Sequence, residues 1–492
     1  MCRSKLLLQI GMIIIASHSF GQNRPQKPDK PNILFIVVDD LRPELGCYGK
    51  TNIKSPNIDR LASTGNIFVN AYTGYPVCGP SRASLLSGIY PGSKRFTRWN
   101  CSQDKDIPGI VSLPMYFKNN NYQTISLGKI YNNFEDGKGS WVENWQPPLT
   151  TTMWDYQDKA SIRIFEERNK ERYQNKNIRN NKNLPQKGPA FESPDVPDIT
   201  YEDGRIANKA IEALQDLQNS DEPFFLAVGF KKPHLPFNAP RKYWDIYDRK
   251  DIQLPSNYFF PKNAPDVAQL NWNELQLFHG IPSSLPLPDT TAISLIQGYY
   301  ACVSYVDAQI GRVLDALEDY GLSEKTIVVL LGDHGWFLGE HGFWTKLSNM
   351  TEGPHAPLII KVPWKQEEVK IKSLVEFVDV YPTLCELAGL TSPVHVQGKS
   401  FAPLFDNPDQ PGKQSVFYRT GAGETILTET HAYTEWINDK TGQPYARMLY
   451  DHRSDPEENE NIADRPENKK LIKELREKLY GHLKKRDSLI IP

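Results

Sequence analysis

Apolar residues along the chain gather into three short unbroken runs, each leading into charged or small polar residues. Asn32 to Val38 stops at Asp39-Asp40, Phe224 to Val228 leads to Lys232-Pro233-His234, and Thr326 to Leu331 ends in Gly332-Asp333-His334-Gly335. An apolar run without alternation predicts a strand buried on both faces, as in a parallel sheet. Helical stretches lie between them, over Tyr201 to Gln218 and Thr291 to Tyr320. Strands alternating with helices predict an α/β fold, a large and mainly parallel or mixed sheet flanked by helices. Three strands then carry ionisable residues just past their carboxyl ends, the edge where open α/β sheets bind ligands.

From about Gly412 the pattern changes. Ser415 to Arg419 and Gly423 to Trp436 alternate as short strands, and a final helix carries Leu471, Leu475, Leu479 and Leu483 at four-residue spacing. Such a stripe predicts a helix packed on its own domain. The chain therefore divides into residues 22–411, the α/β domain, and 412–492, a small C-terminal α+β subdomain. No internal repeat is present.

The first residues set the expected compartment. Arg3 and Lys5 precede an apolar stretch, Leu6 to Ala16, and Ser19-Phe20-Gly21 forms a small-x-small cleavage site, so residues 1–21 read as a secretory signal peptide. Eleven residues are too few to span a bilayer, which argues against stable membrane insertion. The expectation is an exported protein, periplasmic or secreted. A formal net charge of −2 excludes a generally basic nucleic-acid binder. The segment Arg168 to Lys187 departs locally, with seven basic residues and only Glu171 acidic. It reads as a solvated surface insertion; a rim that captures a polyanion is the sharper alternative.

After removal of the leader five cysteines remain, Cys47, Cys78, Cys101, Cys302 and Cys385. An odd count in an oxidising compartment leaves at least one unpaired or chemically altered. Cys78-Gly79-Pro80-Ser81-Arg82 is the most specific element of the chain. Pro80 suits the first turn of a helix, and Ala83-Ser84-Leu85-Leu86 continues one. Cys78 then lies at a helix N-terminus, where backbone N–H groups favour an anion, with Arg82 one turn on. A thiolate nucleophile and a buried structural cysteine are both compatible with Cys78 alone, but neither explains Pro80 and Arg82 together.

With Ser87-Gly88 completing the motif, the chain resembles the type I, formylglycine-dependent sulfatases, and among them the iduronate-2-sulfatase branch. The resemblance continues in Asp39-Asp40-Leu41-Arg42-Pro43, Leu45-Gly46-Cys47-Tyr48-Gly49 and Ser55-Pro56-Asn57-Ile58-Asp59. It extends through Gly128-Lys129, Lys232-Pro233-His234, and Gly332-Asp333-His334-Gly335-Trp336 to Gly339-Glu340-His341-Gly342 and Lys346. Leu449-Tyr450-Asp451 and Asp455-Pro456-Glu457-Glu458 complete it in the tail. It implies an alkaline-phosphatase/sulfatase-like fold and hydrolysis of sulfate esters on a sulfated polysaccharide or oligosaccharide. A 2-sulfated uronic acid of glycosaminoglycan or ulvan type is the suggested substrate, with another sulfated sugar such as rhamnose still open.

The same resemblance implies that a maturation enzyme oxidises Cys78 to formylglycine (3-oxoalanine), whose hydrate is the nucleophile. One hydroxyl would attack sulfur, and the other would then lose its proton to re-form the aldehyde and expel sulfate. It assigns Asp39, Asp40, Cys78, Asp333 and His334 to a metal, for which hard oxygen ligands favour Ca²⁺ over zinc. It assigns Arg82, Lys129, His234 and Lys346 to the sulfate, with His234 or Lys346 as the acid for the leaving sugar oxygen. One position departs from the pattern: Lys129-Ile130-Tyr131-Asn132 stands where iduronate-type members have Lys-x-x-His. An amide cannot take up a proton at neutral pH, which brings His341 and His355 forward as candidate bases. A phosphatase or phosphodiesterase of the same superfamily, and a non-catalytic sulfated-glycan-binding protein, are the alternatives.

Overall fold

The computed structural model describes residues 25–174, 187–269, 274–365 and 368–488. The three apolar runs form the middle of an eight-stranded sheet. From edge to edge its order is Val369–Ile371, Asn66–Phe68, Leu358–Lys361, Thr326–Gly332, Asn32–Val38, Phe224–Phe230, Gln123–Gly128 and Glu143–Trp145. Asn32–Val38 pairs in parallel with both Phe224–Phe230 and Thr326–Gly332, and parallel pairing continues to Glu143–Trp145. Only Leu358–Lys361 runs antiparallel to its neighbours, so the sheet is mixed and mostly parallel.

The unbroken apolar runs have a direct cause. Leu34, Ile36 and Val38 pack against the helices Glu202–Leu217 and Asp289–Asp319, while Ile33, Phe35 and Val37 pack against Leu85, Leu86 and the helix Val380–Leu387. A strand covered on both faces has no solvent side on which a polar residue would be cheap. Each such side chain gains roughly 1.5–3 kcal/mol on burial.

The C-terminal unit is a four-stranded antiparallel sheet, Ser415–Thr420, Gly423–Thr428, His431–Ile437 and Pro444–Asp451, with the helix Lys469–Asp487. The stretch Gly423 to Trp436 is thus a hairpin. Of the leucine stripe, Leu475 and Leu479 are buried with Ile472 against Ile426, Tyr433 and Leu449, and Leu471 and Leu483 cover the margin. No helix among the described residues is long and apolar enough to cross a membrane. The signal-peptide stretch 1–21 and most of the basic insertion, 175–186, lie outside the described residues.

Candidate active site

Strand register brings the ionisable residues to one level. Val38 pairs with both Phe230 and Gly332, and Gly128 with Gly229, so the residues that follow emerge side by side. The ladder continues one step beyond: Asp39 N–H donates to Phe230 O at 3.1 Å, Asp333 N–H to Val38 O at 3.1 Å, and Lys129 N–H to Gly229 O at 2.9 Å. Asp40 then turns the chain at φ 58°, in the left-handed region that costs a non-glycine residue of order 1 kcal/mol or more. Its N–H donates to Asp333 Oδ1 at 3.0 Å, and the Tyr299 hydroxyl donates to its carbonyl at 2.9 Å. Those bonds hold the turn, and the long helix Asp289–Asp319 supplies the clamp.

The Cys78 motif behaves as its residue types dictate. The helix runs Cys78–Ser87, with extended Val77 before it, Pro80 within its first turn and left-handed Gly88 closing it at φ 69°. A Cβ on Gly79 would lie 2.2 Å from the Trp99 carbonyl oxygen, so this turn packs directly against the 98–99 backbone. Gly79→Ala is therefore expected to destabilise the protein by about 1–3 kcal/mol through overpacking. Denaturant titration checks this, and an unchanged midpoint would show that the 98–99 segment yields freely. Ser81 accepts from the Thr73 hydroxyl at 2.8 Å and donates to Asp333 O, tying the helix to the strand end.

Arg82 is fully buried and does not open toward a cleft. Its Nε donates to Asp333 Oδ2 at 2.8 Å, one terminal nitrogen donates to Asp39 Oδ1 at 3.2 Å, and the other binds the carbonyls of Lys129 and Ile130. The guanidinium fork is spent on orienting two carboxylates and the backbone around Lys129.

Asp39, Asp40, Cys78 and His334 each place a ligand atom within 4.8 Å of the others, and all four are buried. Cys78 Sγ lies 3.3 Å from His334 Nε2 and 3.9 Å from Asp40 Oδ1. His334 Nδ1 donates to Gly335 O at 2.9 Å, which leaves the Nε2 lone pair facing the group. Asp333 stands beside these four: Oδ1 is 3.5 Å from His334 Nε2 but also accepts from Asp40 N–H, and Oδ2 is held by Arg82. Two carboxylates and a neutral imidazole form a donor set that fits a divalent cation. Burial raises Asp39, but Lys129 and Arg82 outweigh it and hold the carboxyl well below the usual range. Burial pushes Asp40 up to about 8 against the pull of Lys346, with Asp39 and Asp333 adding to the rise. Burial, then Asp39, drives the Cys78 thiol well above its ordinary value. These neighbours by themselves disfavour a thiolate at Cys78.

Lys129 and Lys346 flank the group. Lys129 Nζ is 2.6 Å from Asp39 Oδ2, and Lys346 Nζ is 2.9 Å from both oxygens of Asp40. His234 is nearby: burial and then Lys346 press its pKa well below the ordinary histidine value, while its Nδ1 donates to Leu235 O at 2.5 Å. The other histidines raised by the sequence lie elsewhere. His355 Nε2 is bonded to Val69 O at 2.9 Å and its ring stacks on Tyr72, and His341 lines with it a separate cavity that also holds Arg42 and Glu340. The imidazole that reaches Cys78 is His334. Asn132 donates to Trp99 O at 2.8 Å and helps hold the segment that packs on Gly79.

Sequence reading missed two residues here. Glu274 is buried, with Oε2 3.3 Å from Lys346 Nζ and Oε1 2.8 Å from Lys187 Nζ. Burial raises its pKa, but Lys346, Lys187 and His234 outweigh that and hold it well below the usual range. Nothing around Asn273-Glu274-Leu275 forms a motif, and Lys187, in sequence the end of a basic insertion read as solvated, is buried. All five described cysteines, Cys47, Cys78, Cys101, Cys302 and Cys385, are free thiols.

Comparison with known proteins adds the following. Residues 31–390 match the Sulfatase family, and residues 339–485 match the family described as N-sulphoglucosamine sulphohydrolase, C-terminal. The iduronate 2-sulfatase of Mus musculus is 34% identical over 432 residues, covering 80% of this chain and 75% of that protein. An ulvan-active sulfatase of Formosa agariphila is 27% identical over 478 residues, covering 93% of this chain and 82% of the relative. A solved structure holding its substrate, D-glucosamine-2-N,6-O-disulfate, superposes with a TM-score of 0.73 at 22% identity, over 93% of this chain and 98% of that one.

Proposed function

The chain belongs to the sulfatase family and is a sulfuric ester hydrolase, and from that premise we propose that it desulfates a sulfated saccharide with a formylglycine made from Cys78 and a calcium ion. The observation that carries the reading is the placement of Cys78: first residue of a buried helix, 3.3 Å from His334 Nε2 and inside the Asp39–Asp40–His334 group. Its Sγ stands where a formylglycine would carry oxygen. Asp39, Asp40 and His334 would hold the calcium, with Asp333 and the Cys78 position completing the set, and the ion would supply positive charge beside the nucleophile.

The protein's own groups then divide the work. Hydration of the aldehyde gives two hydroxyls on one carbon; one attacks sulfur as the bond from sulfur to the sugar oxygen breaks. Lys129 and Lys346 stabilise the negative charge on the sulfuryl oxygens. Lys346, or His234 once the negative charge of a bound sulfate ester has favoured its protonated form, gives the proton to the departing sugar oxygen. Transfer of the second hydroxyl's proton to solvent re-forms the aldehyde as the carbon–oxygen bond to the sulfate group breaks and sulfate leaves. Arg82 works behind this site, aligning Asp39 and Asp333. The substrate read from the relatives is a 2-sulfated uronic acid of glycosaminoglycan or ulvan type. Residues 1–21 serve as a signal peptide for export to the periplasm or outside the cell, and a formylglycine-generating enzyme converts Cys78 before folding buries it. Residues 22–411 form the catalytic domain and 412–492 the C-terminal subdomain.

A panel of 2-O-sulfated uronate disaccharides, sulfated glucosamine and ulvan oligosaccharides, scored by released sulfate, tests the substrate. The 2-O-sulfated uronates are expected to turn over fastest. Binding of several saccharides with sulfate release from none would mark a glycan-binding protein instead.

A further inference from the structure

Glu274 is a buried carboxylate that contacts both Lys346 and His234, the two side chains assigned to the sulfate and its leaving oxygen. Oε2 lies 3.3 Å from Lys346 Nζ, and Oε1 lies 3.8 Å from His234 Nε2. Behind it, Lys187 Nζ sits 2.8 Å from Oε1 and 4.4 and 4.5 Å from the ring centroids of Trp154 and Phe278. An ammonium over two aromatic faces and against a carboxylate has little freedom, so it fixes the carboxylate in turn. A negative charge in this place opposes the binding of an anion. Its contribution therefore lies in arranging Lys346 and His234. Lys346 Nζ lies 2.9 Å from both Asp40 oxygens, which one bifurcated N–H can serve, and 3.3 Å from Glu274 Oε2, so carboxylates on two sides set the direction of the N–H that remains. His234 is pinned at Nδ1 by Leu235 O, which leaves Nε2 toward Glu274.

We propose that Glu274, buttressed by Lys187, is a positioning residue that aims Lys346 Nζ and His234 Nε2 at the sulfate ester and its leaving oxygen. This rests on the assignment of those two side chains to the sulfate in the mechanism above. Three variants of the full, matured, calcium-loaded chain test it: Glu274→Gln, Lys187→Met and the pair together. Each is measured by steady-state kinetics on the saccharide that the wild type desulfates fastest, and by calorimetric titration with inorganic sulfate. Glu274→Gln is expected to lower kcat about 10- to 100-fold, part of what a positioned proton donor contributes. Inorganic sulfate should bind it as tightly as the wild type or a few-fold more tightly, because a repelling charge is gone. Lys187→Met should lower kcat less, about 3- to 10-fold, and the double variant should be no slower than Glu274→Gln, as expected for residues acting as one unit. A Glu274→Gln kcat within about two-fold of wild type overturns the proposal, as does a parallel loss of kcat and sulfate affinity, the mark of a merely disturbed fold. Absence of turnover by the wild type on every saccharide would defeat the mechanism itself, and this proposal with it.

Discussion

Cys78→Ala is expected to lose essentially all sulfate release, roughly 10⁴-fold or more, the scale on which removal of a covalent nucleophile acts. The reason lies in what surrounds the position. Asp39, Asp40 and His334 are buried around it, and each has a charge to hold or a cation to bind rather than an oxygen free to attack. Nor can the unmodified thiol complete the cycle, since it has no hydroxyl on the same carbon whose proton could be lost to expel sulfate. The active protein should therefore carry formylglycine at Cys78, a mass about 18 Da below the cysteine form, readable on the peptide containing Gly79 to Arg82. Cys78→Ser sharpens the test. A serine hydroxyl can attack once, but it has no second hydroxyl whose proton could be lost to expel sulfate, so one turnover and a trapped sulfated enzyme should follow. Sustained turnover by an unconverted serine or alanine variant would place the nucleophile elsewhere.

Asp40→Ala should lose the metal and, with it, activity by about 10³-fold or more, beyond the 10- to 100-fold typical for residues one layer further out. Asp40 makes contacts that no neighbour reproduces: both its oxygens face Lys346, Oδ1 is 3.4 Å from His334 Nε2, and its left-handed backbone bends it into the group. The fold should survive, because the sheet is held by apolar layers on both faces and not by this carboxylate. Elemental analysis is expected to find about one calcium per wild-type chain and to find it lost from Asp40→Ala, with an unchanged circular dichroism spectrum. Stoichiometric zinc in active wild-type protein, with calcium absent, would overturn the choice of ion.

What the sequence determined by itself was whatever depends on local pattern. Asn32–Val38, Phe224–Phe230 and Thr326–Gly332 were legible because strands covered on both faces leave no polar alternation to confuse the period, and the helix at Cys78 because Pro80 and Gly88 punctuate it. The short outer strands, such as Asn66–Phe68 and Glu143–Trp145, carry too few residues for a period and exist through their partners. The candidate site divides the same way. Asp39, Asp40, Cys78, Lys129, His234, Asp333, His334 and Lys346 could be named because each sits in a recognisable block. Tertiary structure alone decided what each touches. It sank Arg82 beneath the site with its donors taken, set Asp333 beside the four-residue group, and sent His341 and His355 to another cavity. It also paired Glu274 with Lys187 across 87 residues of chain. Such a pair leaves no local signature: its energy depends on burial and on an opposing charge brought near by folding, and neither is encoded by the residues adjacent in sequence.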